Sequence, residues 1–214
     1  MFEIVTSPKQ QQKFEQTWEY FCKLYNWKND PYAKDGVRYN LLISPRKISN
    51  RKTIGTIEFI PYYPGNPEST VEGSGRYQFS ELDAVKSNPG RIWEIDKLCI
   101  HQDYQNQGYL NVFMHIFYDH ASKYRPKYYI ALIEKKFYRA LRISYGLSVE
   151  QIGDPFIGPN NSLLPVIFNI ENMMQDHVEV RNKLNLIESS NNAQRTVTNT
   201  SNSFLKKILD KICF

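Results

Sequence analysis

Apolar residues recur at two different spacings along the first part of the chain. From residue 8 onward they recur at steps of three and four, which predicts an amphipathic helix that ends near Asn26. Residues 37–43 and 53–60 instead alternate between apolar and polar side chains or run apolar, and a basic turn separates them. This pattern is typical of strands, so we expect a β-hairpin after the first helix.

Residues 61–90 interrupt this pattern. They are rich in Pro, Gly, Ser and Glu, which indicates a long surface excursion that holds a short helix at residues 79–85. Beyond it strand and helix patterns alternate, and the β-α-β-α-β order after an antiparallel start predicts an α/β fold with a sheet of mixed direction. The strands are expected at residues 91–100, 127–133, 148–153 and 163–170, and the helices at residues 108–124 and 135–146, the latter closed by Gly146 as C-cap.

The end of the chain changes character. A single domain is expected over residues 1–183, because residues 184–203 lose apolar periodicity and gain Asn, Ser and Thr, as polar linkers do. Residues 204–214 place apolar side chains on one face and lysines elsewhere, which predicts a cationic amphipathic tail helix. Two interpretations stay open: the tail docks on its own domain, or it contacts a partner helix or an anionic membrane surface.

The charge distribution and the cysteine content exclude some classes of binding partner. The chain has 214 residues and a formal net charge of +5, but its Lys and Arg are scattered, so no nucleic-acid partner is expected. Cys22, Cys99 and Cys213 lie far apart, without a CxxC pair or a His at metal-ligand spacing. We therefore expect reduced thiols, no metal and a cytoplasmic protein. No leader and no apolar run of about 18 residues is found, which agrees with that expectation.

The segment "HQDYQNQGYLNVFMHIF", residues 101–117, places a polar turn between a predicted strand and a predicted helix. A helix that begins after such a turn leaves backbone N–H groups unpaired at the positive end of its dipole. Such a place binds phosphate groups. The turn from Gln105 to Gly108 is therefore a candidate anion site.

This region carries a resemblance to a known family. The stretch "LCIHQDYQNQGYLNVFMHIFYDHA" resembles the acyl-CoA-binding motif of the GNAT N-acyltransferase superfamily, with Gln105, Gly108 and Leu110 at the Q/R-x-x-G-x-G/A positions. Leu110 stands where the family has a small residue, and "FYRALRISYGL" is similar to the second family motif. The resemblance implies a GNAT-like α/β fold, which has a mixed, mostly antiparallel sheet with flanking helices. It also implies an acetyl-CoA or longer acyl-CoA co-substrate. It implies that backbone groups hold the donor: those of Gln107, Gly108, Tyr109 and Leu110 the pyrophosphate, and those of Leu98, Cys99 and Ile100 the pantetheine.

A finer resemblance, over residues 14–160, is to the acyl-homoserine lactone synthases and their N-acyl amino acid synthase relatives. "FCKLYNW" matches their N-terminal helix at Phe21 and Trp27, which implies substrate contacts, and "IWEIDKL" matches W-E-x-S-R-F. Only Glu94 is kept of the polar residues in that motif. Thr17, Glu58, Asp96 and Lys97 replace the synthases' arginines and serine, with Glu58 in the substrate region. Such changes alter charge and hydrogen-bond geometry together, so lactone synthesis is not expected.

The resemblance implies an enzyme that moves an acetyl or longer acyl group to the amine of a small molecule, with an amino acid as one option. The donor is acyl-CoA or, alternatively, an acyl-carrier protein. Glu94 is the first candidate for the base, with Asp96 or Glu58 as alternatives. Arg142 occupies the usual place of the tyrosine acid, so Tyr138 or Tyr145 would substitute. Two other functions stay open: a CoA-binding sensor or adaptor without efficient catalysis, and a protein N-acetyltransferase.

The predicted strand at residues 91–100 would carry both candidate carboxylates. Strict alternation of side chains would place Glu94, Asp96 and Leu98 on one face of the sheet. That expectation is tested by the backbone of this strand, described below.

Overall fold

A computed structural model describes residues 1–43, 51–105, 107–145, 148–157 and 162–174 of the chain. The basic hairpin turn, the C-cap at Gly146, the linker and the tail helix, all predicted from the sequence, lie outside these residues. No helix in the described ranges is both long and apolar enough to cross a membrane.

Helix α1 (Pro8–Tyr25) begins and ends where its sequence signals predict. Ser7 and Gln10 form a capping box, and Pro8 occupies the first turn, where a missing N–H does no harm. Asn26 closes the helix with a φ of 52° in the left-handed region. The predicted amphipathic helix is confirmed, and its buried face consists of Phe14, Trp18, Phe21 and Cys22.

The described strands form a single mixed sheet in the order β1-β2-β3-β4-β5-β8-β6, with β7 pairing β8. The β4–β5 pair is parallel and the other pairs are antiparallel, so the predicted mixed, mostly antiparallel sheet is confirmed. The strands are β1 (Phe2–Ile4), β2 (Val37–Ile43), β3 (Lys52–Pro61), β4 (Ile92–Ile100), β5 (Tyr128–Glu134), β6 (Val149–Gln151), β7 (Phe156–Ile157) and β8 (Ser162–Asn169).

Two strands and one helix were not predicted. β1 and β7 have three and two residues, too few for a periodic pattern to show. The predicted last strand ends one residue early, because Ile170 begins a short helix. The remaining helices are α2 (Asp83–Lys86), α3 (Leu110–Tyr124), α4 (Lys135–Tyr145) and α5 (Ile170–Met174).

Both faces of the sheet are covered by apolar packing. Helix α3 covers one face through Phe113, Met114, Ile116 and Phe117, which pack against the inner residues of β3, β4 and β5. Helix α1 covers part of the other face. The remainder of that face is covered by the 61–90 excursion, which is anchored through buried Tyr62, Val71, Phe79 and Val85 on Ile92, Ile130 and Ile167. The excursion is therefore a packed part of the domain and more than the surface feature expected.

Candidate active site

Strands β4 and β5 separate after a short paired stretch. Their parallel pairing covers Ile92–Glu94 on β4 and Tyr128–Ile130 on β5. β4 continues to Ile100 in pairing with β3, and β5 continues to Glu134 in pairing with β8. Beyond Glu94, the edge of β4 that faces β5 therefore has no strand partner in the described parts of the chain. We call this opening the β4–β5 cleft.

A β-bulge distorts β4 inside this cleft. Asp96 pairs with Glu58 and Cys99 with Thr56, so Lys97 and Leu98 together lie opposite Ile57. Lys97 has a φ of 49°, a left-handed conformation that non-glycine residues seldom adopt.

The bulge overturns the expected alternation along β4. Glu94 and Asp96 share a face, but after the bulge that face passes to Cys99, which packs with α1. Leu98 and Ile100 pack against the α3 core instead. The prediction that Leu98 shares a face with Glu94 and Asp96 is wrong, because one extra residue reverses the alternation.

The bulge also decides which main-chain groups reach the cleft. His101 N–H donates to the carbonyl of Ile54 at 2.7 Å, so the main-chain groups of His101 and, two residues earlier, Cys99 are directed towards β3. Those of Leu98 and Ile100 are directed the opposite way, into the cleft. The Ile100 carbonyl accepts a hydrogen bond of 3.3 Å from Gln105 Nε2. Of the three predicted pantetheine-binding positions, Cys99 therefore has its main chain directed to β3, and Leu98 and Ile100 have theirs directed into the cleft.

The turn after β4 ends at the N-terminus of α3. Gly108 has a φ of 81°, and a Cβ atom built on it would have open space around it. Among the described residues, no acceptor lies within hydrogen-bond distance of the backbone N–H of Gly108 or Tyr109. Leu110, which departs from the family pattern, packs its side chain against the core. Gln107 is held by a bond from its Nε2 to the carbonyl of Asp103 at 2.6 Å.

The carboxylate of Glu94 is buried and accepts several hydrogen bonds. Its carboxylate accepts hydrogen bonds from Ser69 Oγ at 2.7 Å, from Thr70 N at 3.0 Å and from Thr70 Oγ1 at 3.1 Å. Burial raises the pKa of Glu94, while these donors act against that rise. Glu94 therefore ties the 61–90 excursion to the sheet. Ser69 and Thr70 carry no motif from which this contact could be predicted.

A buried charge group lies next to Glu94 on the same face. Arg38 Nε lies 2.7 Å from Glu58 Oε1, and Lys97 Nζ lies 2.9 Å from Glu58 Oε2 and 2.6 Å from Asp96 Oδ2. Burial lowers the pKa of Lys97, but its neighbouring carboxylates, Asp96 first, raise it above the ordinary value, so Lys97 stays charged. The side chains of Lys97 and Glu58 are completely buried, whereas that of Asp96 is 20% exposed.

We expect Lys97→Met to lower the free energy of unfolding by about 3 kcal/mol, because it leaves buried carboxylate charge without its ammonium partner. Urea unfolding would measure the loss. Lys86→Met is the matched control, since Lys86 pairs with Glu81 on the surface at 3.2 Å and should change stability by about 0.5 kcal/mol or less. Equal losses in the two variants would show that the buried pairing is not stabilising.

An aromatic cluster lies at the C-terminal end of α1. The Phe21 ring is 6.1 Å from Tyr25, and Tyr25 is 5.0 Å from Trp27. Phe21 is buried, while Tyr25 and Trp27 are partly exposed and pack beside Cys99 of β4. The predicted substrate residues Phe21 and Trp27 thus belong to one cluster. Tyr25 also belongs to it, although it was not predicted as a substrate residue. Glu58 is not in the cluster.

The structure locates the acid candidates on α4. Tyr138 is partly buried and packs against the core. Arg142 Nη1 donates to the carbonyl of Val149 at 3.1 Å, which ties α4 to β6. Within the described residues, neither Tyr138 nor Arg142 contacts the group formed by Glu58, Asp96 and Lys97. The side chain of Tyr145 lies outside the described residues.

The 61–90 excursion and the loop after α1 meet beside this charge group. Arg76 of the excursion donates to Asp30 Oδ2 at 3.1 Å, and Lys97 Nζ donates to the carbonyl of Pro31 at 3.3 Å. Asp96 lies at the seam between the two segments, and its side chain remains partly exposed to solvent there.

Comparison with known proteins bears on the fold. No protein-family model matches the sequence, and no curated protein matches it. Among solved structures, the chain is similar to FeeM, an N-acyl amino acid synthase from uncultured soil microbes, with 14% identity and a TM-score of 0.56 over 81% of this chain and 93% of that one. It is similar to BjaI, a CoA-dependent acyl-homoserine lactone synthase, with 13% identity and a TM-score of 0.55 over 98% of both chains.

A third structure, from Lactobacillus plantarum and provisionally described as an N-acetyltransferase, gives 10% identity and a TM-score of 0.54 over 78% of this chain and 96% of that one. At these identities the likeness concerns the fold. The GNAT-like fold that the motif at residues 98–121 predicted is confirmed.

Proposed function

We propose that the protein is an N-acyltransferase that moves an acyl group from a CoA thioester to the amine of a small molecule. The observation that supports this most is the β4–β5 cleft. An unpaired strand edge, bulged at Lys97, leads directly to a turn whose N–H groups lie at a helix N-terminus. This combination suits a ligand that has amides at one end and a pyrophosphate at the other.

Each part of the donor has a matching protein group in this proposal. The pantetheine amides would pair with the main chain of Leu98 and Ile100 as an added strand does. The pyrophosphate would accept from the N–H groups of Gly108 and Tyr109, where the helix dipole favours negative charge. The length of the pantetheine limits how far the thioester can lie from a pyrophosphate bound at Gly108. In this proposal the thioester therefore lies on β4 near the bulge.

The chemistry requires proton transfer from the attacking amine. The amine nitrogen forms a C–N bond with the thioester carbon, the C–S bond breaks, and the thiolate leaves with a proton from the site. We assign the base to Asp96 in place of Glu94, because Asp96 alone among Glu58, Glu94 and Asp96 keeps an exposed carboxylate. Lys97 Nζ, which lies 2.6 Å from Asp96 Oδ2, would fix the position of that carboxylate. Tyr138 stays the predicted proton donor to the thiolate.

The acceptor would enter along the seam and contact Tyr25 and Trp27, the partly exposed members of the aromatic cluster that contains Phe21. Partly exposed aromatic faces suit an amine with an apolar portion, and they attract an ammonium group before it loses its proton. A small amine, with amino acids among the candidates, fits this description. An acyl-carrier protein as donor is the alternative to acyl-CoA.

Calorimetric titration tests the donor half of the proposal. The purified protein would be titrated with CoA, acetyl-CoA, octanoyl-CoA and palmitoyl-CoA, and we expect binding of at least the acyl forms. Affinity that increases with chain length would identify a long-chain enzyme, whereas similar affinity for CoA and acetyl-CoA would identify a small-acyl enzyme. No binding of any of them would contradict an acyl-CoA donor.

Thiol release in the presence of amine panels tests the acceptor half. Free CoA thiol would be followed with a thiol reagent while amino acids and amines without a carboxylate are supplied in turn. Arg142 at the usual tyrosine position favours one competing function, a CoA-binding sensor without efficient catalysis. Donor binding without thiol release for any acceptor would support that sensor over the enzyme.

A further inference from the structure

His120 of α3 is completely buried, and aromatic rings cover both faces of its imidazole. Phe59 stacks on one face with ring centroids 4.0 Å apart and Tyr124 stacks on the other at 4.5 Å. Trp93 lies 4.6 Å away at an interplanar angle of 79°. Since both faces are occupied, the perpendicular indole of Trp93 meets the edge of the imidazole.

The imidazole of His120 is hydrogen-bonded through one of its two nitrogens. Its Nδ1 lies 2.7 Å from Tyr129 Oη, and its Nε2 has no hydrogen-bond partner within the described ranges. Burial, with a smaller effect of Lys123, lowers the pKa of His120 to about 3, so the ring is neutral at physiological pH. We assign the Tyr129 hydroxyl as the donor to Nδ1, which places the imidazole proton on Nε2. An N–H at the ring edge can interact with the π-electrons of Trp93.

The two strand partners of His120 occupy a special place in the sheet. Trp93 of β4 and Tyr129 of β5 are directly paired, within the short stretch where these strands still pair before the cleft opens. His120 contacts both residues and belongs to the helix whose N-terminus forms the proposed pyrophosphate site. One side chain thus connects both walls of the cleft to α3 at the closed end of the cleft.

We infer that His120 is a positioning residue that fixes how far the β4–β5 cleft opens and thereby sets the affinity for the acyl-CoA donor. This inference rests on the proposed function. Beyond Glu94 no strand ladder among the described residues joins the two walls, so their separation depends on side-chain packing, to which the contacts at the closed end contribute. Leu98 lies about 13 Å along β4 from Glu94, at about 3.3 Å per residue. A rotation of about 5° at Glu94 would move Leu98 by about 1 Å, which is enough to break a hydrogen bond.

The test compares two substitutions that each remove one buried hydroxyl from the same aromatic region. Tyr129→Phe removes the donor to His120, whereas Tyr39→Phe removes a hydroxyl that bonds Asp119 at 2.9 Å. Tyr39 lies on β2, away from the cleft, with its ring centroid 6.5 Å from that of His120. We expect Tyr129→Phe to weaken acetyl-CoA binding about 10-fold in calorimetry, and Tyr39→Phe to change it less than about twofold. The same change in both variants would overturn the inference.

A double-variant cycle adds a check on His120 itself. His120→Phe should weaken donor binding like Tyr129→Phe, and the double variant should bind about as well as the weaker single variant, since both act through one contact. Additive losses would overturn the inference.

Ligand-free measurements keep this inference separate from the proposed function. Long-range proton–nitrogen NMR correlations should show the His120 proton on Nε2, and amide exchange over residues 95–100 should be faster in Tyr129→Phe than in Tyr39→Phe. If the original protein binds no donor, the proposed function fails, but these results still decide whether His120 fixes the cleft. Unchanged exchange in Tyr129→Phe would overturn its role.

Discussion

Gly108→Asp is expected to weaken acetyl-CoA binding at least about 100-fold, which corresponds to about 2.7 kcal/mol. Two effects add. The φ of 81° at this position disfavours any side chain, and the new carboxylate would occupy the open space beside the N–H groups that the pyrophosphate needs. The measurement is the Kd from calorimetry, with circular dichroism to confirm that α3 is still formed.

Gly65→Asp is the matched control for this prediction. Gly65 has a φ of 78° and equally open space around a built Cβ, but it lies in the 61–90 excursion. Both variants should therefore lose a similar amount of stability, about 1 kcal/mol, and only Gly108→Asp should lose the donor. Gly108→Ala separates the two causes, because it adds the backbone strain without the charge. Equal donor affinity in the two Asp variants would contradict the assignment of the turn.

Asp96→Asn is expected to lower kcat by about 100-fold to 1,000-fold while donor affinity changes less than about threefold. The amide keeps the shape of the carboxylate and can still accept a hydrogen bond from Lys97, but it cannot take a proton from the amine. Single-turnover acyl transfer, measured by thiol release, would separate this loss from any effect on product release.

Glu94→Gln and Asp30→Asn are the controls for the base assignment. Glu94→Gln should lower stability, because an amide is a poorer acceptor for Ser69 and Thr70, and it should lower kcat less than Asp96→Asn does. Asp30→Asn removes a partly exposed carboxylate that pairs with Arg76, without touching Asp96. A larger fall in kcat for Glu94→Gln than for Asp96→Asn would return the role of base to Glu94.

The features that could be predicted from the sequence are those with a local physical cause. The steps of three and four in α1 and the alternation in β2 and β3 each follow from neighbouring residues. The turn with Gly108 is another such feature, since a glycine between a strand and a helix indicates a positive φ.

The features that were missed depend on contacts between distant parts of the chain. Lys97 adopts a left-handed φ, although its residue type does not favour that conformation. The cause is its ion pairs with Glu58 and Asp96, which hold the ammonium group in a buried position. Ser69 was not recognised as the partner of Glu94, since the two are 25 residues apart and no motif links them. The face assignment of Leu98 failed for the same reason, as the bulge follows from tertiary contacts.

The bulge at Lys97 also bears on aggregation. An unpaired strand edge offers hydrogen bonds to any extended chain, and flat edges of this kind promote intermolecular strand pairing. The left-handed residue bends β4 within its unpaired portion and leaves the straight segment Leu98–Ile100 after it. A bulge that twists an edge is one of the devices by which proteins avoid pairing with a second polypeptide, whereas three residues suffice for a short ligand with two amides. The distortion that admits the proposed donor therefore protects the empty cleft against strand addition by another protein chain.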